Sequence, residues 1–378
     1  MPSDWLHDHV AGCILGGAIG DALGAPTEAR QPEDIPARFG DWVDDFAPPY
    51  IPQRPDGRHK GDGRITDDTL MTVQLCNLYL AQRRHLTAYD AIHLADAMIV
   101  PDTFVPEHGT RMPLINRLFY PEKWLYVRLR LASADPREGG IGNAVNCGCA
   151  MYIAPVGIVN AGNPGAAYAE AVDFAAAHTQ SYGREAAGVL AAAVAVALQP
   201  GATWQDAVAV AQEYAKDGTK TAIAALQEAA SALPPDGDGL ERARTLRAAM
   251  RPYDTVPDVM KDYTQIFHYP SRLHSIEELP VALAYLAWAR GDYRKAVLGA
   301  ANYGRDSDSV ASMAGAIAGG IAGQAALPGQ WIETVERENR LELGALARRM
   351  ADLVAELYHA EWGRAESRHA ALGMHFDE

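Results

Sequence analysis

Residues 12–28 read GCILGGAIGDALGAPTE, and glycine recurs at every fourth position from Gly12 to Gly24. Residues 315–323, GAIAGGIAG, repeat that spacing near the other end of the chain. Glycine inside a helix costs about 1 kcal/mol relative to alanine, so a stripe of glycines indicates that another backbone packs closely against it. We therefore predict that both stripes lie near the centre of one helical bundle.

Helical patterns extend outward from these two segments. We predict helices over residues 5–23, 66–80, 276–290, 293–302 and 310–327, and three alanine-rich helices between residues 164 and 233. Residues 25–64 and 100–122 are irregular, and few runs of β-branched residues alternate with polar ones. The sequence thus predicts an all-α fold, a compact multi-helix bundle. We expect a single domain over residues 1–378, with its core at 10–330 and a helical extension over 331–378.

The chain has 378 residues, of which 48% are hydrophobic, and a net charge of −15. A surface this acidic does not neutralise a phosphate backbone or an anionic bilayer, so we expect neither duplex nucleic acid nor a membrane as partner. The four cysteines match no zinc motif and indicate reduced thiols. No basic segment precedes an apolar run at the N-terminus, and we expect a cytoplasmic protein. The oligomeric state stays open.

Acidic residues lie beside both glycine stripes. Asp21 and Glu28 accompany the first stripe, Asp306 and Asp308 precede the second, and residues 67–68, both aspartates, begin a further predicted helix. Buried carboxylates must be paired, protonated or metal-bound, and oxygen ligands of this kind suit Mg²⁺ or Mn²⁺. Each pair taken alone also fits an ordinary helix N-terminus, where acids are favoured by the helix dipole. Both interpretations remain open on the residues alone.

Four stretches resemble the ADP-ribosylhydrolase family, which includes the dinitrogenase-reductase-activating glycohydrolases and the J1 crystallins. They are residues 12–28, TDDTLM (66–71), AMYIAPVG (150–157) followed by residues 177–179, and EELPVALAY (277–285) leading into GRDSDSVASMAGAIAG (304–319). The paired TDD and DSDS motifs at opposite ends of the chain carry most of the specificity.

This resemblance implies an all-α domain with a dinuclear metal cleft that holds two Mg²⁺ ions, with Mn²⁺ as an alternative. Carried over by motif, the implied metal ligands are Thr66, Asp67, Asp68, Asp306, Asp308 and Ser309. The implied catalytic residues are Glu28, Asp67 and Asp308. Ser309 stands where the family usually has threonine, and it keeps the hydroxyl ligand.

The resemblance also implies substrate-binding residues. They are Asn146, Gly148, Tyr152, His178, Tyr303 and Arg305. Tyr152 replaces a frequent arginine and Arg305 a frequent glycine, so Arg305 is a candidate phosphate contact. His178 is equally interpreted as a dipole partner at a helix end, and Tyr303 as a residue at the core edge. Cys147 and Cys149 are predicted to be packing residues. Residues 268–274 are interpreted as a loop that lines a pocket or lies on the surface.

The function that follows is a Mg²⁺-dependent hydrolase acting at C1 of an ADP-ribosyl or related ribosyl group, on a small molecule or an ADP-ribosylated substrate. Three alternatives stay open: a hydrolase of small free ribosides or nucleosides, a two-metal phosphoester hydrolase, and a non-catalytic, crystallin-like protein.

Overall fold

The computed structural model of the chain describes residues 2–49, 60–106, 108–254 and 274–373. Its helix α1 (Asp4–Gly24) begins behind Ser3, whose Oγ accepts a hydrogen bond from the Leu6 N–H at 3.2 Å. A later helix, Ser307–Ala322, runs antiparallel to α1. These two helices form the most extensive helix pair in the described part of the chain.

The two glycine stripes face each other in this pair. A Cβ atom built on Gly12, Gly16 or Gly20 would lie under 3.0 Å from the carbonyl oxygens of Gly319, Gly315 and Ala311, respectively. Both helices are buried along their stripes. The prediction that the stripes lie at the centre of one bundle is confirmed, and the structure adds that they contact each other directly.

The described residues contain sixteen α-helices and one two-stranded sheet. Besides α1, the helices are α2 (Asp34–Phe39), α3 (Asp67–Gln82), α4 (Ala91–Ala97), α5 (Tyr120–Tyr126), α6 (Ala154–Val159), α7 (Pro164–Ala175), α8 (Ser181–Ala197), α9 (Trp204–Tyr214), α10 (Asp217–Ala232), α11 (Gly239–Met250), α12 (Glu278–Trp288), α13 (Tyr293–Ala301), α14 (Ser307–Ala322), α15 (Gly329–Asn339) and α16 (Leu343–Ala371). The predicted all-α class is confirmed. The sheet is one short antiparallel pair, β1 (Thr103–Val105) and β2 (Thr110–Met112), inside the segment predicted to be irregular.

The alanine-rich region was predicted to hold three helices, and this number is wrong. It contains four, α7 to α10, because the chain breaks between α7 and α8 without glycine or proline. Ser181 adopts φ +55 at this break. A positive φ is uncommon for serine and depends on tertiary contacts, so the local sequence does not predict this helix break.

The predicted C-terminal extension packs back onto the bundle. Its helix α16 contacts α1, α3 and α6. One described segment, Asp4–Thr27, is long and apolar enough to cross a membrane by length and composition, and its apolar window is entirely buried inside the protein. The helix predicted over residues 310–327 corresponds to α14, which begins at Ser307 and ends at Ala322, before Gly323 with φ +79; it is a core helix, as expected.

Candidate functional site

The close approach of α1 and α14 places the C-terminal end of α1 beside the N-terminal end of α14. A Cβ on Gly24 would lie 2.6 Å from the Asp308 Cα, so only glycine permits this crossing. Just beyond α1, the Thr27 hydroxyl contacts the Ser307 Oγ at 2.9 Å and donates to the Gly24 carbonyl at 2.8 Å. The acids on either side of Gly24 therefore lie beside the first turn of α14.

Helix α3 is joined to the same place by Asp21. This carboxylate accepts hydrogen bonds from the backbone N–H and the hydroxyl of both Thr66 and Thr69, at 2.5 to 3.1 Å. Thr66 is the N-cap of α3. Sequence reasoning gave Asp21 no such organising role, because its partners lie more than forty positions away.

Three aspartates from three helices meet at this junction. One carboxylate oxygen each of Asp21, Asp68 and Asp308 lies within 4.8 Å of the others, and all three residues are buried. We call this group the carboxylate cluster. The Oδ1 atoms of Asp68 and Asp308 are buried and accept no hydrogen bond from any described residue. Two unpartnered buried oxygens facing a third carboxylate fit a hard divalent cation.

The electrostatics of the carboxylate cluster lead to the same conclusion. Burial raises the pKa of Asp68 well above its ordinary value, and repulsion from Asp21 and Asp308 raises it further. Burial and the neighbouring Glu28 raise the pKa of Asp308 to about 7, against the opposing charge of Lys60. Asp67 is also buried beside them. So many carboxylates in one buried place are stable in their ionised form only with a cation among them.

A second group lies at the N-terminus of α14. Cys147, Glu278 and Asp306 each place a ligand atom within 4.8 Å of the others. The Cys147 thiol donates to Asp306 Oδ2 at 3.0 Å and lies 3.5 Å from Ser309 Oγ. Burial and the charge of Asp306 raise the pKa of Cys147, which keeps it a thiol donor. Cys147 is buried, as a packing residue would be, but it also contacts a predicted metal ligand.

Glu28 lies at the edge of the site and forms an ion pair with Lys60. Both side chains keep a small exposed surface, 17% for Glu28 and 15% for Lys60. Glu28 is therefore the predicted catalytic residue with access to solvent. Lys60 was not predicted. It lies in the irregular segment, where helical periodicity gives no information about side-chain direction.

Asn146 and Gly148 flank Cys147 in a tight turn. The Asn146 side-chain oxygen accepts from the Gly148 N–H at 3.1 Å, and Asn146 is half-buried. A Cβ on Gly148 would lie 2.6 Å from Oε1 of the buried Glu122, so a side chain at this position would require the Glu122 carboxylate to shift. Asn146 thus keeps an exposed surface next to Cys147, the residue that contacts Asp306, whereas Gly148 contributes its backbone.

Tyr152 and His178 lie in the core. The Tyr152 hydroxyl is 2.8 Å from His178 Nδ1, and His178 Nε2 is 2.9 Å from the Pro121 carbonyl oxygen. A carbonyl only accepts, so Nε2 carries the proton and Nδ1 accepts from Tyr152. Both residues are at most 1% exposed. The structure places them in contact with each other and gives them no surface toward a substrate.

This chain of hydrogen bonds predicts a pH effect on stability. Burial lowers the pKa of His178 to about 4 from its ordinary 6.5. Between pH 6.5 and pH 4, His178 is therefore protonated in the unfolded chain and neutral in the folded chain. The free energy of unfolding falls as the pH drops through this range. At pH 5 we expect His178 to cost about 2 kcal/mol of unfolding free energy.

The measurement is urea unfolding at pH 7 and pH 5 for wild type and His178→Gln, which keeps a donor for Pro121. The variant should lose about 2 kcal/mol less than wild type between the two pH values. His359→Gln, at an exposed position on α16, is the control. Equal pH dependence in wild type and His178→Gln would contradict a buried neutral imidazole.

Tyr303 and Arg305 are also buried. The Arg305 Nε donates to both oxygens of Glu277, at 2.7 and 2.9 Å, and the Tyr303 hydroxyl donates to the same carboxylate. Tyr303 packs edge-on against Tyr285, with ring centroids 6.0 Å apart. These contacts match the interpretation of Tyr303 as a residue at the core edge. Of the predicted 268–274 loop, residues 268–273 lie outside the described residues.

The backbone conformation of Arg305 explains why glycine is frequent at this position in the family that the sequence resembles. Its φ is +59, a conformation that favours glycine. Its N–H donates to the Arg30 carbonyl at 2.8 Å, and its carbonyl accepts from the Ala29 N–H at 2.6 Å. These two bonds join the loop after Glu28 to the loop before Asp306.

Both the sequence and the fold of the chain are similar to those of known proteins. The sequence profile of the ADP-ribosylglycohydrolase family matches residues 2–363. Uncharacterized protein YegU of Escherichia coli (strain K12) is 23% identical over 91% of this chain and 96% of its own length. ADP-ribosylhydrolase ARH3 of Gallus gallus is 22% identical over 92% of each chain. A solved chain of an ADP-ribosylglycohydrolase-related protein complex superposes with a TM-score of 0.56 at 21% identity, covering 93% of this chain and 100% of that one, and so has the same fold. The chain belongs to the ADP-ribosylglycohydrolase family.

Proposed function

We propose that this protein is a Mg²⁺-dependent hydrolase that cleaves the glycosidic bond at C1 of an ADP-ribosyl or related ribosyl group. The observation that carries the proposal is the carboxylate cluster, with its two unpartnered buried oxygens on Asp68 and Asp308. The similar ARH3 of Gallus gallus is an ADP-ribosylhydrolase, which supports the substrate class. A protein with only a structural role has no need of crowded carboxylates, which destabilise a fold without a cation.

The residues proposed to hold the metal are those of the TDD and DSDS motifs, together with Asp21 as their organiser. Thr66, Asp67 and Asp68 come from the start of α3, and Asp306, Asp308 and Ser309 from the start of α14. A divalent cation bound there supplies a template for the ribose hydroxyls and a Lewis acid. Mn²⁺ suits the same oxygen ligands as Mg²⁺.

In this proposal, side chains of the protein accept the proton of the attacking water and stabilise the positive charge that develops at C1. Glu28, at the exposed edge, accepts the proton of the attacking water, and Lys60 fixes its orientation through their ion pair. Asp67 and Asp308 lie within the negative field that favours an oxocarbenium-like transition state. Asn146 is the proposed polar contact for the substrate, and Gly148 keeps the chain close to Glu122. Tyr152 and His178 are positioning residues in this proposal.

The proposed location is the cytoplasm. Cys13, Cys76, Cys147 and Cys149 are all free and buried, which fits a reducing compartment.

Calorimetric titration tests the substrate class. We expect ADP-ribose to bind the Mg²⁺-loaded protein with a Kd below about 1 mM, and ribose alone to bind much more weakly, because the larger ligand gains contacts beyond the metal site. Incubation of an ADP-ribosylated peptide should release free ADP-ribose. Release of AMP or phosphate would instead indicate a phosphoester hydrolase. No binding of ADP-ribose together with turnover of a nucleoside would favour the small-riboside alternative.

A further inference from the structure

Cys147 lies beside the proposed metal site without belonging to either motif that supplies its ligands. Its thiol donates to Asp306 Oδ2 at 3.0 Å and lies 3.5 Å from Ser309 Oγ. One carboxylate oxygen of Glu278 and one of Asp306 lie within 4.8 Å of the Cys147 sulfur and of each other. We call Cys147, Glu278 and Asp306 the cysteine–carboxylate group. A cysteine with only a packing role needs no such polar neighbours.

The spacing of these atoms suits ligands of one ion. Zinc binds sulfur at about 2.3 Å and carboxylate oxygen at about 2.1 Å, so two such ligands lie roughly 3.1–3.6 Å apart when the angle between them is a right angle or tetrahedral. The sulfur of Cys147 lies 3.0 Å from Asp306 Oδ2 and 3.5 Å from Ser309 Oγ, close to this range. The sulfur and its two oxygen neighbours are therefore already spaced as ligands of a common ion.

Two further observations point to a cation at this place. Asp308 comes two residues after Asp306, and the buried Oδ1 atoms of Asp68 and Asp308 accept no hydrogen bond from any described residue. Burial raises the pKa of Asp306 well above its ordinary value, and repulsion from Asp308 and Glu278 raises it further. The charge of Asp68 also acts on the Cys147 thiol. A cation bound among these carboxylates relieves their mutual repulsion.

Sulfur changes which cation is preferred. The carboxylate cluster of Asp21, Asp68 and Asp308 offers only oxygen atoms, which suit Mg²⁺. A thiolate is a soft ligand and favours Zn²⁺ and similar ions, which tolerate mixed sulfur and oxygen ligands. The two groups therefore differ in the ions that they favour, although they lie at the same junction of helices.

We propose that Cys147 is a metal ligand and that the cysteine–carboxylate group binds Zn²⁺ in preference to Mg²⁺. One thiolate and two carboxylates leave one position of a tetrahedral ion open, as in catalytic zinc sites. Asp306 is half-buried, so the group is accessible from its edge. The ion displaces the proton of the thiol into solvent when it binds. This inference rests on the metal site of the proposed function, and not on its reaction.

The test is titration of the full, reduced chain with Co²⁺, a spectroscopic substitute for Zn²⁺, while near-ultraviolet absorbance is recorded. A thiolate bound to Co²⁺ gives a charge-transfer band in this region, and oxygen ligands do not. Mg²⁺ is present in excess to occupy the carboxylate cluster. We expect the band to saturate at one Co²⁺ per chain and to disappear when Zn²⁺ is added, because Zn²⁺ displaces Co²⁺ from sulfur ligands.

Cys147→Ser separates sulfur from oxygen at this position. It should abolish the Co²⁺ band and weaken Zn²⁺ binding, measured by calorimetry, at least about tenfold. It should leave the Mg²⁺-induced rise in Tm unchanged, because the carboxylate cluster keeps its ligands. The matched control is Cys149→Ser. Cys149 is buried two residues away and contacts the Tyr152 hydroxyl at 3.6 Å, so this variant should keep the band.

Absence of the band in the wild type overturns the inference, and so does a band that persists in a folded Cys147→Ser. Thermal melts show whether each variant is folded. If Cys147→Ser does not fold, a band retained in Cys13→Ser, Cys76→Ser and Cys149→Ser assigns the thiolate to Cys147, the fourth cysteine of the chain. Mg²⁺-dependent turnover without a band overturns this inference and leaves the proposed function intact, whereas a band without turnover does the reverse.

Discussion

Asp308→Asn and Asp68→Asn are each expected to lower kcat by at least about 10²–10³, the loss typical of removing one electrostatic stabiliser from an active site. Each change keeps the shape of the side chain and removes one charge from the carboxylate cluster. The substrate is an ADP-ribosylated peptide in saturating Mg²⁺, and free ADP-ribose is measured. EDTA should abolish wild-type turnover, and Mg²⁺ or Mn²⁺ should restore it.

A second measurement on the same variants needs no substrate. Mg²⁺ should raise the Tm of the wild type, because a cation that binds only the folded chain stabilises it. Without metal, Asp68→Asn should be more stable than wild type, since it relieves the repulsion that raises the pKa of Asp68. With metal, the variant should show little further rise in Tm.

The matched control is Asp206→Asn. Asp206 lies in the first turn of α9 and accepts from Thr203 in a capping box, with no other acid of the site nearby. If the acids of α3 and α14 served only the helix N-termini, all three variants would lose at most about 1 kcal/mol of stability, the contribution of one charge to the helix dipole, and would keep full activity. Near-wild-type kcat in both Asp308→Asn and Asp68→Asn, with an unchanged response to Mg²⁺, would contradict the metal site.

The sequence predicts those parts of this molecule that depend on short, regular spacings. Glycine spaced by four residues predicted the buried stripes, and the helical pattern of residues 66–80 predicted α3. Three of the acids at these helix ends also meet, which the residues alone left open beside an ordinary helix-terminus interpretation. All of these signals lie within one or two helical turns.

Other parts depend on contacts between distant positions, and the sequence does not encode these locally. Asp21 binds Thr66 and Thr69 across forty-five positions or more, and Lys60 reaches Glu28 from an irregular segment. Burial of the Tyr152–His178 pair depends on three separate segments meeting in the core. A family motif identifies these residues but does not say whether each faces the substrate or supports the residue that does.

The glycine stripes predict a large and sharply position-dependent effect on stability. Gly20→Ala would place a methyl group against the Ala311 carbonyl, and Gly319→Ala would place one against the Gly12 carbonyl. Both obstacles are backbone atoms of a packed helix, which cannot rotate away. We expect each variant to lose about 3 kcal/mol of unfolding free energy, even though alanine is the better helix former.

Gly17→Ala is the matched control, because Gly17 lies in the same buried helix but off the stripe. A Cβ there would lie 3.5 Å from the Ala316 Cβ and from the Ser312 carbonyl oxygen, which is ordinary contact. Helix propensity should then raise its stability by up to about 1 kcal/mol. Urea unfolding of Gly20→Ala, Gly319→Ala and Gly17→Ala measures the change in unfolding free energy of each variant relative to wild type. Equal stability of Gly20→Ala and Gly17→Ala would contradict direct packing of the two backbones.

The same packing links the fold to the site through Gly24. A methyl group at this position would meet the Asp308 Cα, so Gly24→Ala must push the start of α14 away from α1. The carboxylate cluster needs its oxygens within 4.8 Å of one another, and a shift of about 1 Å is enough to impair a catalytic geometry. We therefore expect Gly24→Ala, measured well below its Tm, to weaken the Mg²⁺-induced rise in Tm and to lower kcat. Gly17→Ala should keep both, because a methyl group at Gly17 meets α14 at an ordinary contact distance and leaves the spacing of the two helices unchanged.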